Sequence, residues 1–144
     1  MRRLAEALYN AARNWRGHPV DTLVQDLQFR NIAGPLVEAL SDGPWDALVV
    51  VQSNCARWLD YVPRPPLSVL VMHDVRALVY ERRAATAGSL IESLACRREA
   101  RRYHRFERAY CRRFDVVVTV SAADEAWVSD ALPAASAHQR ANTG

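Results

Sequence analysis

The run "LSVLVMHDV" ends in an imidazole beside a carboxylate, His73 and Asp74, after a mostly apolar stretch. A histidine in such a place can donate to a substrate hydroxyl, and an adjacent carboxylate can fix its tautomer. Asp74 can equally cap a helix starting near Val75, with His73 packed in the turn. Residue types alone leave both roles open. Ser121 sits comparably, after "DVVVTV". Its hydroxyl, or the amides behind it, can hold a phosphate or sugar oxygen at a helix N-terminus. An ordinary N-cap fits it as well, with Asp124 three positions on in a capping-box-like arrangement. Ser53 and Asn54 follow a third such run, "DALVVVQ". No G-x-S-x-G surrounds Ser121, so no hydrolase nucleophile is expected there.

The three runs, 46–52, 67–72 and 115–120, are rich in Val and Leu without clean alternation. Parallel strands covered on both faces have that texture. Helical segments alternate with them: a short piece near 54–60 before "PRPP", one long stretch of about forty residues after Met72, and a helix from Ser121. Upstream, 2–16 reads as a helix, 20–25 as a weak strand, and 29–41 as a helix interrupted at Gly34-Pro35 and closed by "SDGP". This order predicts an α/β fold: a partial Rossmann-like parallel sheet of three or four strands with flanking helices. Ligands on such sheets collect at the carboxyl ends of the strands. His73-Asp74, Ser121 and Ser53-Asn54 would then share one rim. Residues 1–132 make one domain, and the small, polar tail 133–144 is expected to be disordered.

The segment "CRREARRYHRFERAYCRRF" (96–114) holds eight arginines against two glutamates. On a helix, Tyr103, Phe106, Tyr110 and Phe114 form an apolar stripe opposite Arg98, Arg101, Arg102, Arg105 and Arg112. Peripheral contact with an anionic membrane through Arg98, Arg101, Arg102 and Arg105 is one reading of that face. A phosphate-bearing ligand is another, and a solvated face whose Arg stems cover apolar area is a third. A nucleic-acid partner is not expected, because no helix-turn-helix pattern is present and few aromatics interleave the basic face. Glu99 and Glu107 stand in an E-x7-E spacing, mid-helix among arginines, where chance suffices to explain them. His104 and Cys111 lack zinc-site spacing and two further ligands, so no metal is expected.

All nineteen basic residues are arginine, for a net charge of +3 over 144 residues. Cys55, Cys96 and Cys111 form no C-x-x-C pair, which points to reduced thiols and a cytoplasmic setting, at most peripheral at the inner membrane face. No P-loop or G-x-G-x-x-G is present, and the five glycines are dispersed, so no bound nucleotide cofactor is expected of this chain.

"WDALVVVQSNCARWLDYVPRPPLSVLVMHDV" and "RRYHRFERAYCRRFDVVVTVSAADEAWV" together resemble the middle of the N-terminal domain of family-4 type glycosyltransferases of the GT-B fold. The matching residues are Asp46, His73-Asp74, Phe106-Glu107-Arg108, Asp115, and Ser121 with Asp124, within about residues 17–132. The resemblance implies retaining transfer of a sugar from a nucleotide-sugar donor to an acceptor hydroxyl, with His73 reaching into the cleft near the donor sugar. It also implies electrostatic help to the leaving diphosphate rather than a protein nucleophile. The family's opening strand, its glycine-rich loop and its nucleotide-binding domain have no counterpart here. The expectation is therefore a fragment, incomplete for catalysis alone, that works with a complementing glycosyltransferase domain or subunit. The alternative is a non-catalytic docking module using an open sheet edge, expected on strand 46–51, and the Arg-rich helix.

Overall fold

The computed structural model describes residues 18–19, seven positions between 34 and 43, and residues 45–132 apart from 64. The expected helix 2–16, strand 20–25 and tail 133–144 lie outside the described residues. Between 34 and 41 the described positions are helical.

Among the described residues three strands form: β1 (Ala47–Val51), β2 (Leu67–Met72) and β3 (Val116–Thr119). They make one sheet in the order β1-β2-β3, with both pairings parallel. β-branched valines suit a pleated, covered surface, and these three runs hold most of them in sequence. Ala47 lies opposite Leu67 and Val51 opposite Val71, while Val69 pairs with Val116 and Met72 with Thr119. The carboxyl ends therefore fall level, on one rim. The fold is α/β, an open all-parallel sheet flanked by helices, in a partial Rossmann-like arrangement.

The expected long helical stretch is two helices, α1 (Arg76–Ala85) and α2 (Leu90–Cys111). Thr86 ends α1, its hydroxyl bonded back to the Arg82 carbonyl at 3.2 Å. Ser89 caps α2 by accepting the Glu92 N–H, and Glu92 in turn accepts the Gly88 N–H, a variant of the capping box. Ser93 Oγ then donates to the Ala84 carbonyl at 2.9 Å and closes the hairpin. A 3-10 helix (Ser53–Asp60) follows β1, and α3 (Ala122–Ala131) follows β3.

The core forms where the inner face of α2 meets β2 and β3. Tyr103, Phe106, Tyr110 and Phe114 are all buried, as the stripe predicts, against Leu70, Met72, Val117 and Val128. Ser68, buried in the central strand, is satisfied by Asp115, whose Oδ2 accepts both its N–H at 2.7 Å and its hydroxyl at 2.6 Å. A carboxylate thus pins the amino end of β3 to β2.

Two expectations are corrected here. Arg102 does not belong to the solvent face: it is 4 % exposed and ion-paired to Glu99. At the flank of the aromatic stripe its stem is swept into the helix packing. β1 is covered on one face rather than two, leaving Val49 56 % and Val51 50 % exposed. With Leu48, Cys55, Trp58 and Val62 they line an apolar groove of about 310 Å³.

Candidate functional site at the strand carboxyl ends

The rim is built by three strand-to-helix transitions. After β1, Gln52 turns the chain with φ 74°, the only positive φ of a non-glycine among the described residues. Its N–H bonds to the Val71 carbonyl at 2.8 Å, which carries the sheet one residue further. Such a conformation costs a β-carbon of order 1 kcal/mol and is held by its surroundings. The turn sends Ser53 inward.

Ser53 is not a rim residue. Its hydroxyl donates to Glu107 Oε1 at 2.6 Å, in the buried interior. Glu107 lies about one turn before the carboxyl end of α2 and is fully buried. The same Oε1 accepts the Arg76 N–H at 2.9 Å, and Oε2 accepts the Ala77 N–H at 3.1 Å. These amides belong to the first turn of α1, which has no side-chain cap of its own. Glu107 therefore serves as that cap from another helix, with its charge beside the positive end of the α1 dipole. Burial pushes its carboxyl up to about 7, opposed by the hydrogen bonds from Ser53, Ala77 and Arg76. It is sealed from solvent and cannot touch a ligand.

A second carboxylate grips the same loop. Asp124 Oδ1 accepts the Val75 N–H at 3.2 Å, and its Oδ2 accepts the Ser121 hydroxyl at 2.6 Å. Ser121 Oγ in turn accepts the Asp124 N–H at 3.1 Å, so Ser121 is the N-cap of α3. Three successive amides, Val75, Arg76 and Ala77, are thus consumed by carboxylates from α3 and α2.

Asp74 is half-buried and does not cap α1; the cap position is Val75. His73 is exposed, one residue past the central strand and beside the end of β3 by register. Among the described residues its side chain has no hydrogen bond or ion pair, which leaves its ring nitrogens open to a ligand there. Asn54 is buried in the 3-10 helix, with Oδ1 accepting no hydrogen bond.

Of the sequence-derived candidates, the topology brings His73, Asp74 and Ser121 to adjacent strand ends and turns Ser53 and Asn54 into the interior. Glu107 is the residue that sequence reasoning set aside. One signal was present: it lies between Phe106 and Tyr110 on the apolar side of α2, and an acid in a buried stripe needs a partner. Among the described residues no group of three or more His, Cys, Asp or Glu could hold a metal ion. No helix there is long and apolar enough to cross a membrane. Comparison with protein-family models, with curated proteins and with solved structures finds no match for this chain.

Proposed function

We propose that this chain forms the acceptor side of a sugar-transfer site of the GT-B type. It works with a domain or subunit that binds the nucleotide-sugar donor, and it presents His73, with Asp74 beside it, to a sugar hydroxyl. The observation that carries this reading is the pairing of an open imidazole with a closed anion site on the same rim. A phosphate at a helix N-terminus needs free N–H groups. Here the first amides of α1 are taken by Glu107 and Asp124, and the Ser121 hydroxyl is closed onto Asp124. A neutral hydroxyl needs only one donor or acceptor, which His73 offers in either tautomer. That division of labour, with phosphates held by a partner, fits an acceptor-side domain. Glu107 and Asp124 are positioning residues in this scheme: they hold the loop that carries the imidazole.

The test is an NMR titration of the labelled full chain with a panel of simple glycosides and, separately, with uridine diphosphate. Shifts at His73 and Asp74 with a glycoside, and undisturbed Arg76 and Ala77 amides with the diphosphate, are expected. Strong diphosphate perturbation of those amides contradicts the scheme. A second reading, a non-catalytic docking protein, is favoured by the β1 edge, which no strand among the described residues pairs, and by its apolar groove. Stable capture of a partner that binds no nucleotide-sugar selects it.

A further inference from the structure

The outward face of α2 combines two features that its buried stripe does not explain. Leu90, Ile91 and Leu94, at the amino end of the helix, are 75 %, 82 % and 58 % exposed. Arg97, Arg98, Arg101 and Arg105 follow and are all exposed. At about 100° per residue, these seven side chains fall within a stripe about 120° wide. Cys96, Ala100, Tyr103, Glu107 and Tyr110 occupy the opposite side and are buried. The apolar end stands at the α1–α2 corner, where Ser93 fastens the hairpin to Ala84. The acids nearest the stripe are set apart from it: Glu92 is engaged with the Gly88 N–H, and Glu99 pairs with the buried Arg102.

We infer that this face docks on an anionic lipid bilayer, with Leu90, Ile91 and Leu94 entering the boundary of the acyl region and the arginines lying at headgroup level. Charge complementarity selects an anionic surface, and the aliphatic end selects a bilayer among such surfaces. A nucleic acid offers phosphates but no apolar phase for two leucines and an isoleucine. A bilayer offers both in the order in which the helix carries them. Long Arg stems suit this placement, because they can lie along apolar surface while the guanidinium stays hydrated. The inference stands independently of the sugar-transfer reading.

The experiment is co-sedimentation of the full chain with vesicles of pure phosphatidylcholine and of equimolar phosphatidylcholine and phosphatidylglycerol. Binding to the anionic vesicles, and little to the neutral ones, is expected. Ile91→Asp with Leu94→Asp should weaken it by about tenfold or more, and Arg98→Gln with Arg101→Gln by a comparable factor. Both pairs are solvent-exposed, and thermal melting confirms that each variant is folded. Failure to bind anionic vesicles overturns the proposal. So does binding that ignores the Ile91/Leu94 change, which would mean diffuse charge attraction. Binding of an RNA oligonucleotide or an acidic protein that outcompetes the vesicles, with the arginines needed and the aliphatics not, also overturns it.

Discussion

Ser53 and Glu107, 54 positions apart, share a buried hydrogen bond of 2.6 Å that ties the start of the 3-10 helix after β1 to the last turns of α2. Through both oxygens of the same carboxylate, α2 also holds the start of α1, and so the loop that carries His73. One side chain thus joins three elements beneath the rim.

Removing it should be costly. Glu107→Ala leaves the Ser53 hydroxyl and the Arg76 and Ala77 amides without their acceptor, each worth about 1–3 kcal/mol when buried and unpaired. A loss of about 3 kcal/mol or more is expected in urea denaturation. Glu107→Gln keeps one acceptor oxygen but turns an amide toward a donor, so it should lose less. A Glu107→Ala midpoint equal to that of the native chain contradicts the clamp.

The clamp also has a pH dependence. Glu107 rises from its ordinary 4.5 to about 7, so the folded state holds its proton over a range where the unfolded chain has released it. Its contribution is fully present below about pH 4.5 and is lost as pH rises toward 7 and through it. Relative to Glu107→Gln, the native chain should lose stability across that window and level off above it. Thermal melting at intervals of pH reads the difference. A native-minus-variant curve that rises with pH would show a lowered carboxyl instead.

Asp124 is the second hold on the loop. Asp124→Ala removes the reciprocal contact with Ser121 and the acceptor for the Val75 N–H. A cost of about 1–2 kcal/mol is expected from cap loss. Amide exchange at Val75 should accelerate with it; unchanged protection there would detach Asp124 from the loop.

Among the described residues the outer edge of β1 pairs with no strand, and with Val49 and Val51 exposed it is a pairing hazard that offers a template to another strand. Val49→Lys should lower self-association with concentration, measured by light scattering, while leaving the fold intact. Association unaffected by that lysine would place the contact elsewhere.

Much of this arrangement was legible in the residues. The valine runs marked all three strands, and the aromatic spacing in 103–114 marked the buried face of α2. Ser121 with Asp124 announced the start of α3. What escaped was set by distance in sequence: Glu107 finds its partners 30, 31 and 54 positions away, which no local pattern encodes. The break at 86–89 carried the S-x-x-E signal "SLIE", but the helical pattern on both sides outweighed it. The open face of β1 was invisible for a different reason: a valine run looks the same whether one face is covered or two. Arg102 was misread because a wheel assigns the flank of a stripe poorly, and only packing decides which way a long side chain goes.

His73 is where structure and chemistry separate most cleanly. Exposed and unbonded, it should tolerate His73→Ala within about 0.5 kcal/mol in stability. Sugar transfer, measured with the chain combined with a donor-binding domain or subunit, is the direct test of its proposed role. The account predicts a folded His73→Ala chain that still assembles but transfers about a hundredfold or more slowly, the range of a lost proton-handling or hydrogen-bonding group. Transfer by that variant at the native rate would contradict it.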